Sequence, residues 1–295
     1  MTRLLVTGSR GQLGVDLVAE ARRRGWSVDG LSRTDPGHPC DITDPAAVRD
    51  LVARVRPDVV VHAAAWTDVD GCELDPGRAH AINVAGTRHV ADAAAEVGAR
   101  TLLLSTDYVF DGDATEPYQE ADPPRPRSVY GRTKAEAEEV VLARATGTVV
   151  RTSWLSGRHG RNIAKTVLAR GLAGEPMRFV TDQVGNPTLA AGLAAAIADL
   201  VAEPLEGVVH VTHQGPASWF ELAREVLDAA GLPTTLVAPI PTAQLDPPRP
   251  APRPAYAVLG PGRLVAEGRA VLPDHRGPLA ELVAELLAAG DPERW

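Results

Sequence analysis

Tyr130 and Lys134 stand four residues apart in the run Ser-Val-Tyr-Gly-Arg-Thr-Lys, a spacing that places a phenol and an ammonium on one face of a helix. A free phenol, with a pKa of about 10, is a weak acid or base at neutral pH. A neighbouring ammonium favours the phenolate and brings the group toward the working range. The pair alone is equally compatible with an exposed helix carrying a half-buried tyrosine, so its meaning depends on what the rest of the chain places beside it.

Two other segments supply that context. The apolar run ending at Ser105 continues into Thr106-Asp107-Tyr108-Val109-Phe110-Asp111-Gly112. A hydroxyl at the carboxyl end of a central strand points into a crevice, where it can hold a substrate oxygen. Thr106, Tyr130 and Lys134 together make a set for hydride transfer. Thr106 and Tyr130 hold a carbonyl oxygen, Tyr130 donates the proton, and Lys134 anchors a cofactor ribose and tunes the phenol. The cofactor's own site is signalled by Gly8, Gly11 and Gly14 in Thr-Gly-Ser-Arg-Gly-Gln-Leu-Gly, between the first strand-like run and an amphipathic stretch. Glycines at that spacing allow a tight turn, close approach to a pyrophosphate and close packing of the next helix, whose amino end favours phosphate. Gln12 and Leu13 lie in the same turn.

The dinucleotide is read at the end of the second strand. Ser32 and Arg33 stand where an NAD-selective site carries an acid, and Arg33 suits a 2′-phosphate, which favours NADPH. Asp29, earlier in the strand, keeps NADH open. Asp41 and Ile42 are placed to meet an adenine by hydrogen bond and packing, with Asp44 the better candidate for capping the helix that opens near Pro45. Ala63, Ala64, Ala65, Trp66 and Thr67 follow the third strand, and their small side chains leave room for a ligand. Asn83, within a helical pattern, is suited to brace the loops above the sheet or equally to stand as a tolerated surface residue.

The elements that must position these groups follow from periodicity. Apolar runs at Leu4–Thr7, Val28–Leu31, Val59–His62, Thr101–Ser105 and Thr148–Val150 read as buried parallel strands. The amphipathic stretches Gln12–Arg24, Pro45–Arg56 and Val84–Val97 read as the helices between them. Alternation of this kind predicts an α/β fold, a doubly wound parallel sheet with right-handed crossovers. Past residue 155 the rhythm loosens into helical stretches at Ile163–Ala173, Ala190–Val201, Trp219–Ala230 and Leu279–Ala289, with an ordered Pro-dense loop from Pro239 to Pro254. The expected division is a dinucleotide-binding domain over 1–155, with segments near 180–210 returning to it, and a smaller, mainly substrate-binding domain over 156–295.

Composition narrows the classes of function. A chain of 295 residues with 44% hydrophobic content is long enough to bury a large core. A net charge of −8 argues against nucleic acid or an anionic membrane as partner. Two cysteines, Cys40 and Cys72, make no disulfide framework and lack metal-ligand spacing. No apolar run reaches the roughly 20 residues of a membrane span. With no signal-peptide layout at the start, a cytoplasmic location is expected.

The chain resembles the extended short-chain dehydrogenase/reductases and, within them, the dTDP-4-dehydrorhamnose reductase family, along nearly its whole length. The likeness is carried by Gly8–Gly14 with Gln12-Leu13, Cys40-Asp41-Ile42, Ala63–Thr67 followed by Val69-Asp70, Ser105–Gly112, Tyr130–Lys134, Arg151–Trp154 and Asp182–Thr188. It implies a Rossmann-type sheet, a nicotinamide cofactor and a dTDP-sugar substrate whose C4 ketone is reduced, dTDP-4-dehydro-L-rhamnose first. It also implies Tyr130 as proton donor, substrate contacts from Thr106, Asp107, Val109, Phe110 and Trp154, and cofactor contacts from Gly11–Leu13, Asp41, Ile42, Ala65–Thr67, Tyr130 and Lys134. Asn162 and Arg253 suit sugar hydroxyls, a phosphate or a base edge. Tyr256-Ala257 departs from the family's Asn-Ser, which leaves the sugar nucleotide open, another deoxysugar of secondary metabolism included. Dehydratases of the same fold follow the active-site Thr with Asp-Glu, whereas Tyr108 stands here. A non-catalytic dinucleotide-binding regulator is the reading that Tyr130 with Lys134 argues against. No acidic cluster supports a metal, and a homodimer is compatible with the sequence.

Overall fold

A computed structural model of the chain describes residues 2–290. Its centre is a six-stranded sheet. The strands β1 (Arg3–Thr7), β2 (Ser27–Leu31), β3 (Val59–His62), β4 (Arg100–Thr106) and β5 (Thr148–Thr152) are joined by a sixth, Gly207–His210. The spatial order is sixth strand, β5, β4, β3, β1, β2, with every pairing parallel. The doubly wound sheet expected from the alternating pattern is therefore present, and the chain reverses direction of winding between β1 and β3. Parallel strands need both faces covered, and period-2 alternation supplies the two faces. Leu4, Val6, Val59, Val61, Leu102 and Val150 pack on one side against Leu13 and Leu17 of α1 (Gln12–Arg23) and Leu193 and Ile197 of the helix Ala190–Ala202. Leu5 and Val60 pack on the other against Val48, Leu51 and Val52 of α2 (Pro45–Val55) and Val90 and Ala94 of the helix Gly86–Glu96. Asp44 caps α2, accepting from the amides of Ala46 and Ala47.

The chain after β5 leaves the sheet, comes back for Ala190–Ala202 and Gly207–His210, and leaves again. What lies outside the sheet has its own core, formed by the helices Ile163–Leu172, Trp219–Ala229 and Arg276–Ala289 over the paired strands Met177–Val180 and Val237–Ile240. The Pro-dense stretch begins on that second strand and runs on as a loop tied back to the sheet side: Asp70 accepts from the Ala251 amide and, through both carboxylate oxygens at 2.9 Å, from the Arg253 guanidinium. Among the described residues no helix is long and apolar enough to cross a membrane.

Candidate active site

Between the strand ends and the outer domain runs a cleft in two connected parts. One, of about 250 Å³, is lined by Leu31, Ser32, Arg33, Cys40, Asp41, Ile42, Ala64 and Trp66. The other, about 450 Å³, is lined by Gln12, Leu13, Thr67, Thr106, Asp107, Tyr108, Tyr130, Lys134, Trp154, Arg161 and Trp219. Gly8, Gly11, Ala63 and Ala65 border both. A separate depression of about 630 Å³ behind the glycine loop holds none of the reactive set.

The glycine loop is shaped for a close ligand. Gly8 has φ +69°, and a Cβ there would lie 2.9 Å from the Ala64 amide nitrogen; at Gly14 it would lie 2.0 Å from the Gly8 carbonyl oxygen. Gly11 begins α1 with no side chain to cap it, so the first-turn amides and the positive end of the helix face the cleft. These features fit a dinucleotide pyrophosphate. Thr7 and His62 set the opposite rim: the Thr7 hydroxyl accepts from the Ala64 amide at 3.1 Å and meets His62 Nδ1 at 2.6 Å. Burial drives His62 down to about 3, so it is a neutral strut. Asn83, in a π-helical turn over Ala81–Ala85, accepts from the Trp66 amide and donates to its carbonyl and to Thr133. It braces the Ala63–Thr67 loop against the helix Val129–Leu142.

At the base end, Arg33 and Asp41 flank one cavity. Asp41 Oδ1 accepts from the Thr43 amide and hydroxyl, and its second oxygen remains open to a ligand. Asp29 points the other way, pairing with His38 at 3.2 Å in the depression behind the loop. No carboxylate of β2 therefore opposes a 2′-phosphate from this side.

At the reactive end, Ser128 caps the helix Val129–Leu142, whose first turns bring Tyr130 and Lys134 to the cleft. Tyr130 is 8% exposed and Lys134 3%. The Lys134 ammonium donates to the Leu104 carbonyl at 2.6 Å, which leaves two donors for a ligand. Burial pulls it down to about 8, with Glu138 acting in the opposite direction. Thr106 donates to Asp107 Oδ1 at 2.9 Å and accepts from the Tyr108 amide. Asp107 Oδ2 is buried without a partner among the described residues, and burial pushes the carboxyl up to about 7.

The phenol departs from the sequence expectation. Its pKa is raised, not lowered: burial dominates, a hydrogen bond with Thr106 opposes it, and the negative ends of Asp107, Tyr108 and Cys72 add to the rise. Tyr130 sits among Cys72, Ala79 and Val129 with Tyr108 edge-on at 5.6 Å. Spacing predicted the neighbour but not the desolvation, which holds the phenol in its protonated, donor form.

Four of the residues expected to contact substrate are not among those lining the cleft. Val109 and Phe110 are buried, and Phe110 stacks on Tyr118 at 4.1 Å, because the 3-10 turn Asp107–Val109 after β4 turns them into a small core with Tyr118 and Leu259. The Asn162 side chain caps the helix Ile163–Leu172 and donates to Gln12 Oε1 and the Gly157 carbonyl. Arg253 is occupied by Asp70 and the Ala251 carbonyl. Trp154 does line the cleft. Its backbone is left-handed at φ +45°, and its ring stacks on Trp219 at 3.7 Å, 8° from parallel. Trp219 and Arg161 also line the cleft and were missed; both come from segments with no local motif. Among the described residues no group of three or more His, Cys, Asp or Glu side chains gathers to hold a metal.

A dTDP-4-dehydrorhamnose reductase of Streptomyces griseus is 43% identical over 98% of this chain and 96% of its own length. A probable dTDP-4,6-dihydroxy-2-methyloxan-3-one 4-ketoreductase of Streptomyces antibioticus is 41% identical over 98% and 97%. The solved structure of a dTDP-4-dehydrorhamnose reductase from Bacillus anthracis in complex with NADP superposes with a TM-score of 0.91 at 34% identity, covering 96% of this chain and 99% of that one. The family model described as RmlD substrate binding domain matches residues 1–288. The chain thus belongs to the dTDP-4-dehydrorhamnose reductase family of extended short-chain dehydrogenase/reductases.

Proposed function

We propose that this chain is an oxidoreductase that reduces the C4 ketone of a dTDP-4-dehydro-6-deoxyhexose with NADPH, and that its substrate is dTDP-4-dehydro-L-rhamnose. The observation that carries the reading is the convergence of Thr106, Tyr130 and Lys134 at one end of a cleft whose other end is a glycine-lined helix terminus. NADPH, bound along the glycine loop, supplies the hydride. The first-turn amides of α1 would hold the pyrophosphate, and Arg33 would meet the 2′-phosphate. Lys134 offers its free donors to the ribose hydroxyls. Tyr130 and Thr106 hydrogen-bond the ketone oxygen, and Tyr130 passes its proton to that oxygen as the alcohol forms. A phenol of raised pKa suits this direction, since it carries its proton throughout the neutral range. Trp154, backed by Trp219, offers a flat apolar face to the deoxysugar, and Arg161 a cation near the entrance.

The test is incubation of the purified protein with NADPH and dTDP-4-dehydro-L-rhamnose or its C3 and C5 epimers, with product stereochemistry read by NMR. Turnover of dTDP-4-dehydro-L-rhamnose to dTDP-L-rhamnose is expected. Selective turnover of an epimer would move the chain to the 4-ketoreductases of other deoxysugars, and oxidation of no NADPH with any of them would remove the catalytic reading.

A further inference from the structure

Beneath the reactive end lies a buried ion pair that the reaction as described does not use. Glu138 follows Lys134 by four residues on the same helix, so the two side chains share a face. It is 2% exposed, as is Arg151 on β5. Arg151 grips it through two nitrogens, Nε at 3.0 Å from Oε1 and Nη2 at 2.7 Å from Oε2. Ser105, the residue before Thr106 on β4, donates to the same Oε1. Arg151 Nη1 has no hydrogen-bond partner among the described residues. Arg151 is thus paired with a carboxylate one helical turn from the buried Lys134, and that carboxylate is tied to two of the strands that end at the cleft, β4 through Ser105 and β5 through Arg151.

An ion pair kept only for stability gains little over apolar packing of the same volume. Here the carboxylate also lies one turn along the helix from a lysine that must stay charged with almost no water. We propose that Glu138, fixed by Arg151 and Ser105, is a positioning residue that keeps Lys134 protonated and aligned with Tyr130. The proposal builds on the role given to Lys134 above. The ionisable groups facing the lysine are Glu138 on its own helix, His62 on β3, and Tyr130 and Asp107 in the cleft it lines, while Arg151 on β5 reaches it only through Glu138. His62 is neutral, and Glu138 is the group that opposes the effect of burial on Lys134.

The experiment follows kcat/KM for NADPH against pH in the full chain, with circular dichroism and thermal melting to establish folding. In Glu138→Gln/Arg151→Met, which removes the pair without leaving an orphan charge, the alkaline limb moves to lower pH by about one unit or more. In Glu138→Asp, which keeps the charge but draws it back by one methylene, the limb moves less, by about half a unit. A limb unmoved in the double variant, or in Glu138→Asp should the double variant not fold, overturns the proposal. Lys134→Met assayed alongside separates the two levels. If it too leaves rate and NADPH binding unchanged, the role of Lys134 has failed. If it abolishes both while the Glu138 variants are silent, only the positioning role has.

Discussion

The two walls of the cleft are built in different ways. On the sheet side, Thr106, Asp107 and Lys134 are buried; Thr106 donates to Asp107 at the end of β4, and Lys134 donates across to the Leu104 carbonyl of the same strand. On the outer side, Trp154 and Trp219 are half-buried rings stacked flat against each other, with Trp154 in a backbone conformation that costs roughly 1–3 kcal/mol. The first wall fixes charges and protons, where a displacement of about 1 Å can cost 10²-fold. The second offers area and shape, which can change with the sugar without disturbing the proton donor. A family able to act on several deoxysugars from one reactive set is the expected outcome of such a division.

Substitutions can break that division or sharpen it. Lys134→Met should lower kcat/KM by at least about 10²-fold and weaken NADPH binding; steady-state kinetics with a cofactor titration would show a failure of the sheet-side wall if neither moved. Trp154→Ala should raise KM for the sugar nucleotide about tenfold, the scale of one aromatic contact, with kcat within a few-fold. A fall in kcat as large as that of Lys134→Met would mean that the walls are not separable. Trp219→Ala should act in the same direction with less force. Arg33→Ala should narrow the preference for NADPH over NADH several-fold, most clearly at low salt, and an unchanged ratio would take Arg33 out of the cofactor site.

The smallest effect concerns stability. The Asp107 carboxyl is pushed up to about 7 by burial, against an ordinary 3.8. Between those values the unfolded chain is ionised while the folded chain holds its proton, so Asp107 lowers stability as pH rises through that window and the loss stays in place above it. Asp107→Asn removes the loss. Its melting temperature relative to the unsubstituted chain should therefore rise from pH 5 to pH 8, and a constant difference would contradict the buried, protonatable carboxyl.

The sheet-side wall was largely legible in the sequence because contiguous runs encode it. Gly8–Gly14 carries its own turn and helix start, and Tyr130 and Lys134 are related by one helical turn. The outer wall was less so. Trp219 reaches Trp154 only because Ala217–Ser218 pairs with the distant Val184–Gly185, which lies against the Trp154 ring, and nothing beside Trp219 except a helix-capping serine marks it. The strand Gly207–His210 was missed because four residues with one apolar pair are too short a signal without β5 beside them. Asn162 and Arg253 were read as ligand groups, yet a helix end and a neighbouring carboxylate claimed them first. The raised phenol pKa was hidden for a related reason: residue spacing reports the neighbours of a group, whereas its desolvation depends on everything packed around it.

The central claim is that Tyr130 gives its proton to the ketone oxygen and does little else. Measuring kcat and the NADPH dissociation constant for Tyr130→Phe, with dTDP-4-dehydro-L-rhamnose as substrate, tests it most directly. In that variant kcat should fall by at least about 10²-fold with cofactor affinity nearly intact. Full turnover by the phenylalanine variant would contradict it.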